Sequence, residues 1–201
     1  MKIGPKFKIA KRLGAPIFEK TQTQKFALSQ ARGGKNRKRA GQTSDYKRQL
    51  IEKQKMRFSY GITEKQLRRY VNEALEKKGQ PVPVLMERLE SRLDNVVYRL
   101  GLAKTRRLAR QIVSHGHIIV NGKRLGIPSH KMRVGDVVTI REGSKASPLF
   151  AQLADTHESA GVPSWLSLDV KKLSGSVIAV PVYNPAEALF DPEQVMEYYS
   201  R

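Results

Sequence analysis

Basic side chains on a short helix and a tight hairpin are the clearest chemical signal in this sequence. Residues 105–141 read TRRLARQIVSHGHIIVNGKRLGIPSHKMRVGDVVTIR, and Asp136 is the only acidic residue between positions 103 and 139. Guanidinium and ammonium groups without interleaved carboxylates are typical of a surface that contacts phosphate. The cations expected at this surface are Arg106, Arg107, Arg110, Lys123, Arg124, Lys131, Arg133 and Arg141.

The two histidines of this stretch, His115 and His117, flank Gly116 and could supply two metal ligands. The chain has no cysteine, and carboxylates are nearly absent nearby, so two imidazoles do not complete a metal site. We therefore assign both histidines to hydrogen bonding or stacking on RNA. The absence of cysteine also removes disulfides and thiolate catalysis.

Catalytic motifs are missing from the sequence. It contains no glycine-rich phosphate-binding loop and no convincing Ser-His-Asp arrangement. Arg92-Leu93-Asp94 is similar to the tripeptide that carries the catalytic aspartate of pseudouridine synthases, but the residues that should follow are absent. We predict that Asp94 pairs with a nearby arginine and that the protein is not an enzyme, with no metal, no cofactor and no small-molecule substrate.

A helix and a hairpin must position the cations. Thr105 can cap the helix, the apolar residues at 108, 109, 112 and 113 form one stripe, and Gly116 can end it in a left-handed conformation. Asn121-Gly122 is the pair that a type I′ hairpin turn favours, and an alternating strand is predicted at 137–141.

Elsewhere, the periodicity of apolar residues and the positions of capping residues, glycine and proline predict an α+β fold with two lobes. The predicted elements are helices at about 44–58, 63–78, 84–100 and 147–154, strands at 165–168 and 177–182, and a last helix after Asp191. Residues 1–43 lack sustained periodicity, which leaves two readings open: a solvated tail, or an arm that orders only against RNA.

The charge balance points to a polyanionic partner. The 201 residues hold 38 Lys and Arg against 18 Asp and Glu, a net charge of +20. Residues 1–60 carry +14, residues 61–145 carry +10, and residues 146–201 carry −4. Nucleic acid is favoured over an anionic membrane surface. No apolar run is long enough to span a bilayer, and no secretory signal is predicted.

Two segments of the sequence resemble a known family: SRLDNVVYRLG at 91–101 and TRRLARQIVSHGHIIVNG at 105–122. They closely resemble the bacterial-type small-subunit ribosomal protein S4 family, and the likeness covers nearly the whole length. Further matching segments are Gly4-Pro5, Ser44-Asp45-Tyr46, Glu52-Lys53-Gln54-Lys55, Tyr60-Gly61, Trp165-Leu166 and Tyr198-Tyr199-Ser200.

The resemblance implies a structural constituent of the small ribosomal subunit, expected in the cytoplasm; the sequence does not distinguish a bacterial from an organellar ribosome. Such a protein is a primary binder of the 5′ domain of small-subunit rRNA and nucleates its assembly. It also contacts ribosomal protein S5 and other small-subunit proteins, and it contributes to the mRNA entry tunnel and to translational accuracy. Some relatives hold zinc in the N-terminal arm through cysteines, which this chain lacks.

The implied fold has a basic N-terminal arm at 1–43 and a mostly helical lobe at 44–92 that 179–201 completes. A helix–hairpin RNA-binding lobe is inserted at 93–178, with its motif at 93–141. We expect Arg37, Lys38 and Arg39 near the tunnel. The RNA-contacting residues predicted in total are Lys6, Lys8, Lys11, Arg12, Arg32, Lys35, Arg37, Lys38, Arg39, Lys47, Arg48, Lys53, Lys55, Arg57, Arg68, Arg69, Arg92, Arg106, Arg107, Arg110, His115, His117, Asn121, Lys123, Arg124, Lys131 and Arg133.

Two other classes of protein carry a comparable RNA-binding module. An RNA-modifying enzyme would need a separate catalytic domain, which the roughly 90 residues before the motif do not supply. A free RNA chaperone or ribosome-rescue factor would usually be shorter.

Overall fold

The computed structural model describes residues 3–34, 44–77, 79–145, 147–151, 161–170, 172–185 and 188–200. Helices and one antiparallel sheet make up these residues, which confirms the predicted α+β class. The chain divides into two compact units, residues 1–85 with 184–201 (unit 1) and residues 86–183 (unit 2). The arm at 1–43 and the lobe bounds at 92/93 and 178/179 stay predictions.

The elements follow one another from helices to a mixed region and back to a helix. In chain order they are α1 (Lys6–Leu13), α2 (Gln24–Gly34), α3 (Asp45–Tyr60), α4 (Glu64–Glu76), α5 (Pro81–Glu90), α6 (Leu93–Arg99), α7 (Arg106–Ser114), β1 (Ile118–Val120), β2 (Lys123–Arg124), β3 (Val137–Ile140), α8 (Glu142–Lys145), α9 (Pro148–Ala151), β4 (Leu166–Asp169), β5 (Ser174–Val177) and α10 (Pro192–Tyr199).

The N-terminal residues contain two helices that no periodic pattern in the sequence predicted. Ala10, Phe18 and Phe26 are buried in one small cluster. Leu13 and Ile17 are buried in another, against Ile51 and Phe58 of α3. These apolar residues are irregularly spaced, so the order comes from tertiary contacts rather than from an amphipathic stripe. Residues 35–43 lie outside the described part of the chain.

Capping residues set the starts of α3, α4 and α10 as the sequence predicted. Ser44 accepts a hydrogen bond from the backbone N–H of Lys47, and Asp191 accepts from the first turn of α10. Thr63 and Gln66 form a reciprocal capping box. The last helix packs on α3 within unit 1, where the rings of Tyr46 and Tyr198 lie 5.7 Å apart.

The prediction of one long helix at 84–100 is wrong, because the helix breaks at Ser91-Arg92. Arg92 is extended and pairs with Lys131 as an isolated β-bridge. The backbone N–H of Leu93 donates to the carbonyl of His130 at 2.9 Å, and the carbonyl of Ser91 accepts from Met132 at 2.8 Å. These groups would otherwise bond within a continuous helix, so the loop at 128–132 replaces a helical turn.

The sheet of unit 2 has the strand order β2-β1-β3-β5-β4, and every neighbouring pair is antiparallel. Its inward residues, among them Ile118, Val138 and Val177, share one core with α6 and α7. Asn121 and Gly122 both have positive φ, which confirms the predicted type I′ turn between β1 and β2.

The strand predicted at 177–182 is wrong, since β5 spans Ser174–Val177 and ends where that strand was expected to begin. Pro181 cannot donate a backbone hydrogen bond to a ladder. Gly175 lies in the middle of β5 because a Cβ there would approach Cδ1 of Leu100 to 2.6 Å. Across the described residues, none of the helices combines the length and apolar character that crossing a membrane requires.

Candidate RNA-binding surface

Helix α7 is the support of the candidate surface. Thr105 caps it by accepting from the backbone N–H of Leu108 at 3.0 Å, as predicted. Ala109, Ile112 and Val113 are buried in the core of unit 2. Burial of that stripe leaves Arg106, Arg107 and Arg110 on the remaining faces of a helix about 13 Å long.

Asp94 at the start of α6 holds two arginines. Its Oδ1 and Oδ2 accept from Nε and Nη2 of Arg92 at 3.0 and 2.8 Å. Its Oδ2 also accepts from Nε and Nη2 of Arg110 at 2.8 and 2.6 Å. The prediction that Asp94 pairs with a nearby arginine is therefore confirmed. The side chains of Asp94 and Arg92 are only 4% and 2% exposed, whereas that of Arg110 is 28% exposed.

A second hydrogen-bond network, next to that of Asp94, holds Arg99 and Arg106. Glu90, which is buried, accepts from Nε and Nη2 of Arg99 at 3.0 and 3.2 Å and from Nδ2 of Asn95 at 2.8 Å. The amide oxygen of Asn95 then accepts from Nε of Arg106 at 2.8 Å. The guanidinium of Arg106 also lies 4.5 Å above the ring of Tyr98, within cation–π range.

Together these bonds form what we call the arginine rack: Arg92, Arg99, Arg106 and Arg110, held by Glu90, Asp94 and Asn95. Four guanidinium groups against two carboxylates leave the rack with a positive charge. A long arginine side chain loses rotamer entropy when it binds a ligand, and here that loss has already been incurred in folding. Arg99, Arg106 and Arg110, which are partly exposed, can therefore present fixed guanidinium edges to an anion, whereas Arg92 is buried beneath them in the network.

The C-terminal end of α7 closes with a Schellman motif. The N–H of His117 donates to the carbonyl of Ile112 at 3.2 Å, that of Gly116 donates to Val113 at 2.9 Å, and Gly116 has φ 72°. Nη2 of the exposed Arg124 donates to the carbonyl of His115 at 3.2 Å. Gly116 thus ends the helix in the left-handed conformation that the sequence predicted.

His115 and His117 have different surroundings. His115 is exposed, whereas His117 is half-buried, with Nδ1 2.9 Å from Oγ of Ser144 and its ring edge to face with Phe150 at 6.2 Å. The two imidazole rings lie 6.1 Å apart. Within the described residues, no three or more His, Cys, Asp or Glu side chains come together to hold a metal ion.

Asn121, which is predicted to contact RNA, uses its side-chain amide in two hydrogen bonds within unit 2. Its Nδ2 donates to Oδ1 of Asp136 at 2.8 Å, and its Oδ1 accepts from the backbone N–H of Val137 at 2.9 Å. Asp136 in turn accepts from the backbone N–H of Arg133 at 2.7 Å. Asn121 therefore ties the hairpin turn to the turn before β3.

The remaining predicted cations of unit 2 are at the surface. Lys131 is half-buried and forms an ion pair, with Nζ 2.8 Å from Oε1 of Glu87. The cations that are exposed are Arg107, Lys123, Arg124, Arg133 and Arg141.

Unit 1 places most of its predicted cations at the surface as well. The exposed ones are Lys8, Arg12, Arg32, Lys47, Arg48, Arg68 and Arg69, and the half-buried ones are Lys6, Lys11, Lys55 and Arg57. Lys35, Arg37, Lys38 and Arg39 lie outside the described residues.

Lys53 is the buried member of a cluster in unit 1 that also contains the half-buried Glu64, Tyr198 and Tyr199. It is 5% exposed, its Nζ is 2.9 Å from Oε1 of Glu64, and it lies 4.4 Å above the ring of Tyr198. The hydroxyl of Tyr199 donates to the same carboxylate at 2.6 Å. Burial by itself raises the pKa of Glu64, but the bonds from Tyr199 and Lys53 and the charges of Lys53 and Arg57 outweigh it and lower that pKa. Burial and the bond to Glu64 raise the pKa of Tyr199.

Arg92 and Lys53 are the most buried of the described residues predicted to contact RNA. The guanidinium of Arg92 lies on the buried Asp94, and the ammonium of Lys53 lies on Glu64, whose side chain is 42% exposed. Direct contact with RNA would require breaking an ion pair, and for these two residues it stays a prediction. Sequence reasoning missed Glu90 and Asn95, because their partners become neighbours only after the chain breaks between α5 and α6.

Comparison with known proteins assigns two adjacent parts of the chain to described families. Residues 1–90 match the family described as the Ribosomal protein S4/S9 N-terminal domain, and residues 91–138 match the S4 domain. The second match contains Asp94, α7 and the hairpin.

Relatives align over nearly the full length. Small ribosomal subunit protein uS4 of Persephonella marina is 41% identical over 200 residues, covering 98% of each chain. The protein of the same name from Chloroflexus aurantiacus is 42% identical and covers 99% of this chain and 98% of its own. That of Dehalococcoides mccartyi is 49% identical over 79% of this chain and 76% of its own. The chain therefore belongs to the uS4 family of ribosomal proteins, which are structural and not enzymatic.

Proposed function

We propose that this protein is a structural constituent of the small ribosomal subunit that binds small-subunit rRNA through unit 2. The observation that carries the proposal is the arginine rack, which lies in the segment that matches the S4 domain. A set of preorganised guanidinium groups with a net positive charge suits a phosphate backbone, because the guanidinium fork matches the geometry of phosphate oxygens.

The mechanism has an electrostatic part and a geometric part. Cations that neutralise phosphates release condensed counterions, so affinity falls as salt rises. The rack then limits which RNA shapes fit, because its guanidinium groups cannot all move to follow a different backbone path. Double-stranded and junction RNA is recognised largely through such shape and backbone contacts.

Finer features of the proposal come from the resemblance. We propose the 5′ domain of small-subunit rRNA as the target, with a role in nucleating its assembly. We also propose contacts with ribosomal protein S5 and with mRNA at the entry tunnel, and through them an influence on translational accuracy. The predicted tunnel residues Arg37, Lys38 and Arg39 remain part of this proposal.

A salt titration of RNA binding tests the proposal. The full chain would be titrated onto a transcript of the 5′ domain of small-subunit rRNA at several salt concentrations, with Arg106→Ala/Arg110→Ala beside the wild type. The double variant is expected to bind more weakly and to lower the slope of log affinity against log salt by about two, one for each lost phosphate contact. Arg92 remains on Asp94 in this variant, so the fold is expected to persist.

The variant Arg141→Ala serves as the control, because its exposed cation lies outside the rack. It is expected to lower the slope by at most about one. Equal slopes for the wild type and the double variant would contradict a role for the rack. Failure of the wild type to prefer the 5′ domain over an unrelated structured RNA of the same length would contradict the proposed target. Release from mature small subunits by high salt would favour a free RNA chaperone.

A further inference from the structure

We propose that Gly116 is a positioning residue for RNA binding. Because it has no side chain, it leaves a space at the end of α7, here called the seat, that holds the guanidinium of Arg124. The inference rests on the proposed function of unit 2 and adds a second kind of contact to it. The arginine rack is held by carboxylates and an amide of α5 and α6. Arg124 comes from the hairpin and is held by the backbone of α7.

The space around Gly116 defines the seat. Gly116 is buried although the residues on both sides of it have exposed or half-exposed side chains, and Arg124 is its neighbour in space. A Cβ at position 116 would lie 2.7 Å from Cζ and 2.5 Å from Nη2 of Arg124, and closer still to Nε. Any side chain at 116 would therefore have to push the guanidinium away.

The bonding at the seat favours a cation. Nη2 of Arg124 donates to the carbonyl of His115, which is the C-cap residue of α7. The last carbonyls of a helix carry the negative end of its dipole, so a guanidinium there is stabilised. This hydrogen bond and the closeness of the guanidinium to Gly116 hold it against the end of the helix.

A seated guanidinium can still bind phosphate. Arginine has five N–H donors, and the bond to His115 uses one of them. Arg124 is exposed, as is its neighbour Lys123 on the same strand. The chemical class of ligand is therefore a phosphodiester of the RNA backbone, contacted by an arginine of fixed orientation.

A substitution at Gly116 has two effects that a matched control separates. Gly116→Ala places a side chain in a left-handed conformation and also displaces Arg124. Gly135→Ala imposes the same kind of backbone strain, since Gly135 has φ 91°, but its Cβ would meet nothing within 4 Å. Both variants are expected to melt at a lower temperature than the wild type.

RNA binding would then be measured on the same transcript for the wild type, Gly116→Ala, Gly135→Ala, Arg124→Ala and the double variant Gly116→Ala/Arg124→Ala. We expect Gly116→Ala and Arg124→Ala each to lower the salt slope by about one, as expected for one phosphate contact, and Gly135→Ala to leave it unchanged. In the double variant, the Gly116 substitution is expected to add no further loss of affinity, because it acts through Arg124.

An NMR measurement of the Arg124 Nε–H signal in the free protein provides a readout that does not depend on RNA. A rigid, protected signal in the wild type and Gly135→Ala, and an averaged one in Gly116→Ala, support the seat. The inference is overturned if Gly116→Ala and Gly135→Ala have the same slope, or if Gly116→Ala weakens binding equally with and without Arg124. If Arg124 is seated but the wild type does not bind the transcript, the proposed function fails, and the role of Gly116 in RNA binding fails with it.

Discussion

Replacing Asp94 with asparagine should destabilise unit 2 more than the same kind of substitution at an exposed carboxylate would. The carboxylate accepts four hydrogen bonds from Arg92 and Arg110 and is 4% exposed. In Asp94→Asn the guanidinium of Arg92, 2% exposed, loses the negative charge of Asp94 but remains buried. Removing one partner of a buried ion pair typically costs about 3–5 kcal/mol. Stabilities of domains are about 5–15 kcal/mol, so this is a large share of the total.

Urea unfolding followed by tryptophan fluorescence would measure this loss. The chain has a single tryptophan, Trp165, which is 7% exposed and belongs to the core of unit 2. Its emission therefore reports on the unit that contains Asp94. With an m-value of about 2 kcal/mol/M, the midpoint is expected to fall by about 2 M.

Two further variants decide whether burial is the cause. Glu142→Gln makes the same carboxyl-to-amide change in an exposed pair, where Glu142 lies 2.8 Å from Lys145 and is 87% exposed, so the loss is expected to be below about 1 kcal/mol. Arg92→Leu/Asp94→Asn also removes the buried cation and is expected to recover part of the stability. The reasoning is refuted if Asp94→Asn costs no more than Glu142→Gln.

Two more predictions concern the pKa of Glu64 and the turn at Asn121. Because the folded-state pKa of Glu64 is lowered, its stabilisation of unit 1 is present above the unfolded carboxyl pKa of about 4.3 and is lost as the pH falls through the folded value. Circular dichroism should therefore find Glu64→Gln less stable than the wild type near neutral pH, with the gap closing in acid; a constant gap would contradict this. Asn121→Ala should cost about 1 kcal/mol more than Asn121→Gly, because both lose the bonds to Asp136 and Val137 but only alanine is strained at φ 50°. Equal urea midpoints from Trp165 emission would refute the strain argument.

Much of unit 2 could be predicted from the sequence because its signals are local. The cap at Thr105, the apolar stripe of α7, the left-handed Gly116 and the Asn121-Gly122 turn each depend on residues within a few positions of one another. Such patterns follow from the 3.6-residue period of a helix and from the backbone preferences of turns. The same local density of cations was enough to predict a phosphate-contacting surface.

The N-terminal helices and the break in the helix predicted at 84–100 could not be predicted in this way. α1 is buried against residues of α3 that lie more than 30 positions away, and nothing in its own periodicity shows that contact. The break at Ser91-Arg92 exists because a loop about 40 residues further on supplies the backbone partners.

The candidate site shows the same division. From the sequence alone, Arg92, Arg106 and Arg110 are equivalent cations, and their number determines the charge of the surface. Tertiary structure decides that Arg92 is buried, that Arg106 and Arg110 are held in place, and that Glu90 and Asn95 take part. Charge is a property of composition, whereas the direction of a guanidinium depends on which acceptors the folded chain brings within hydrogen-bonding distance.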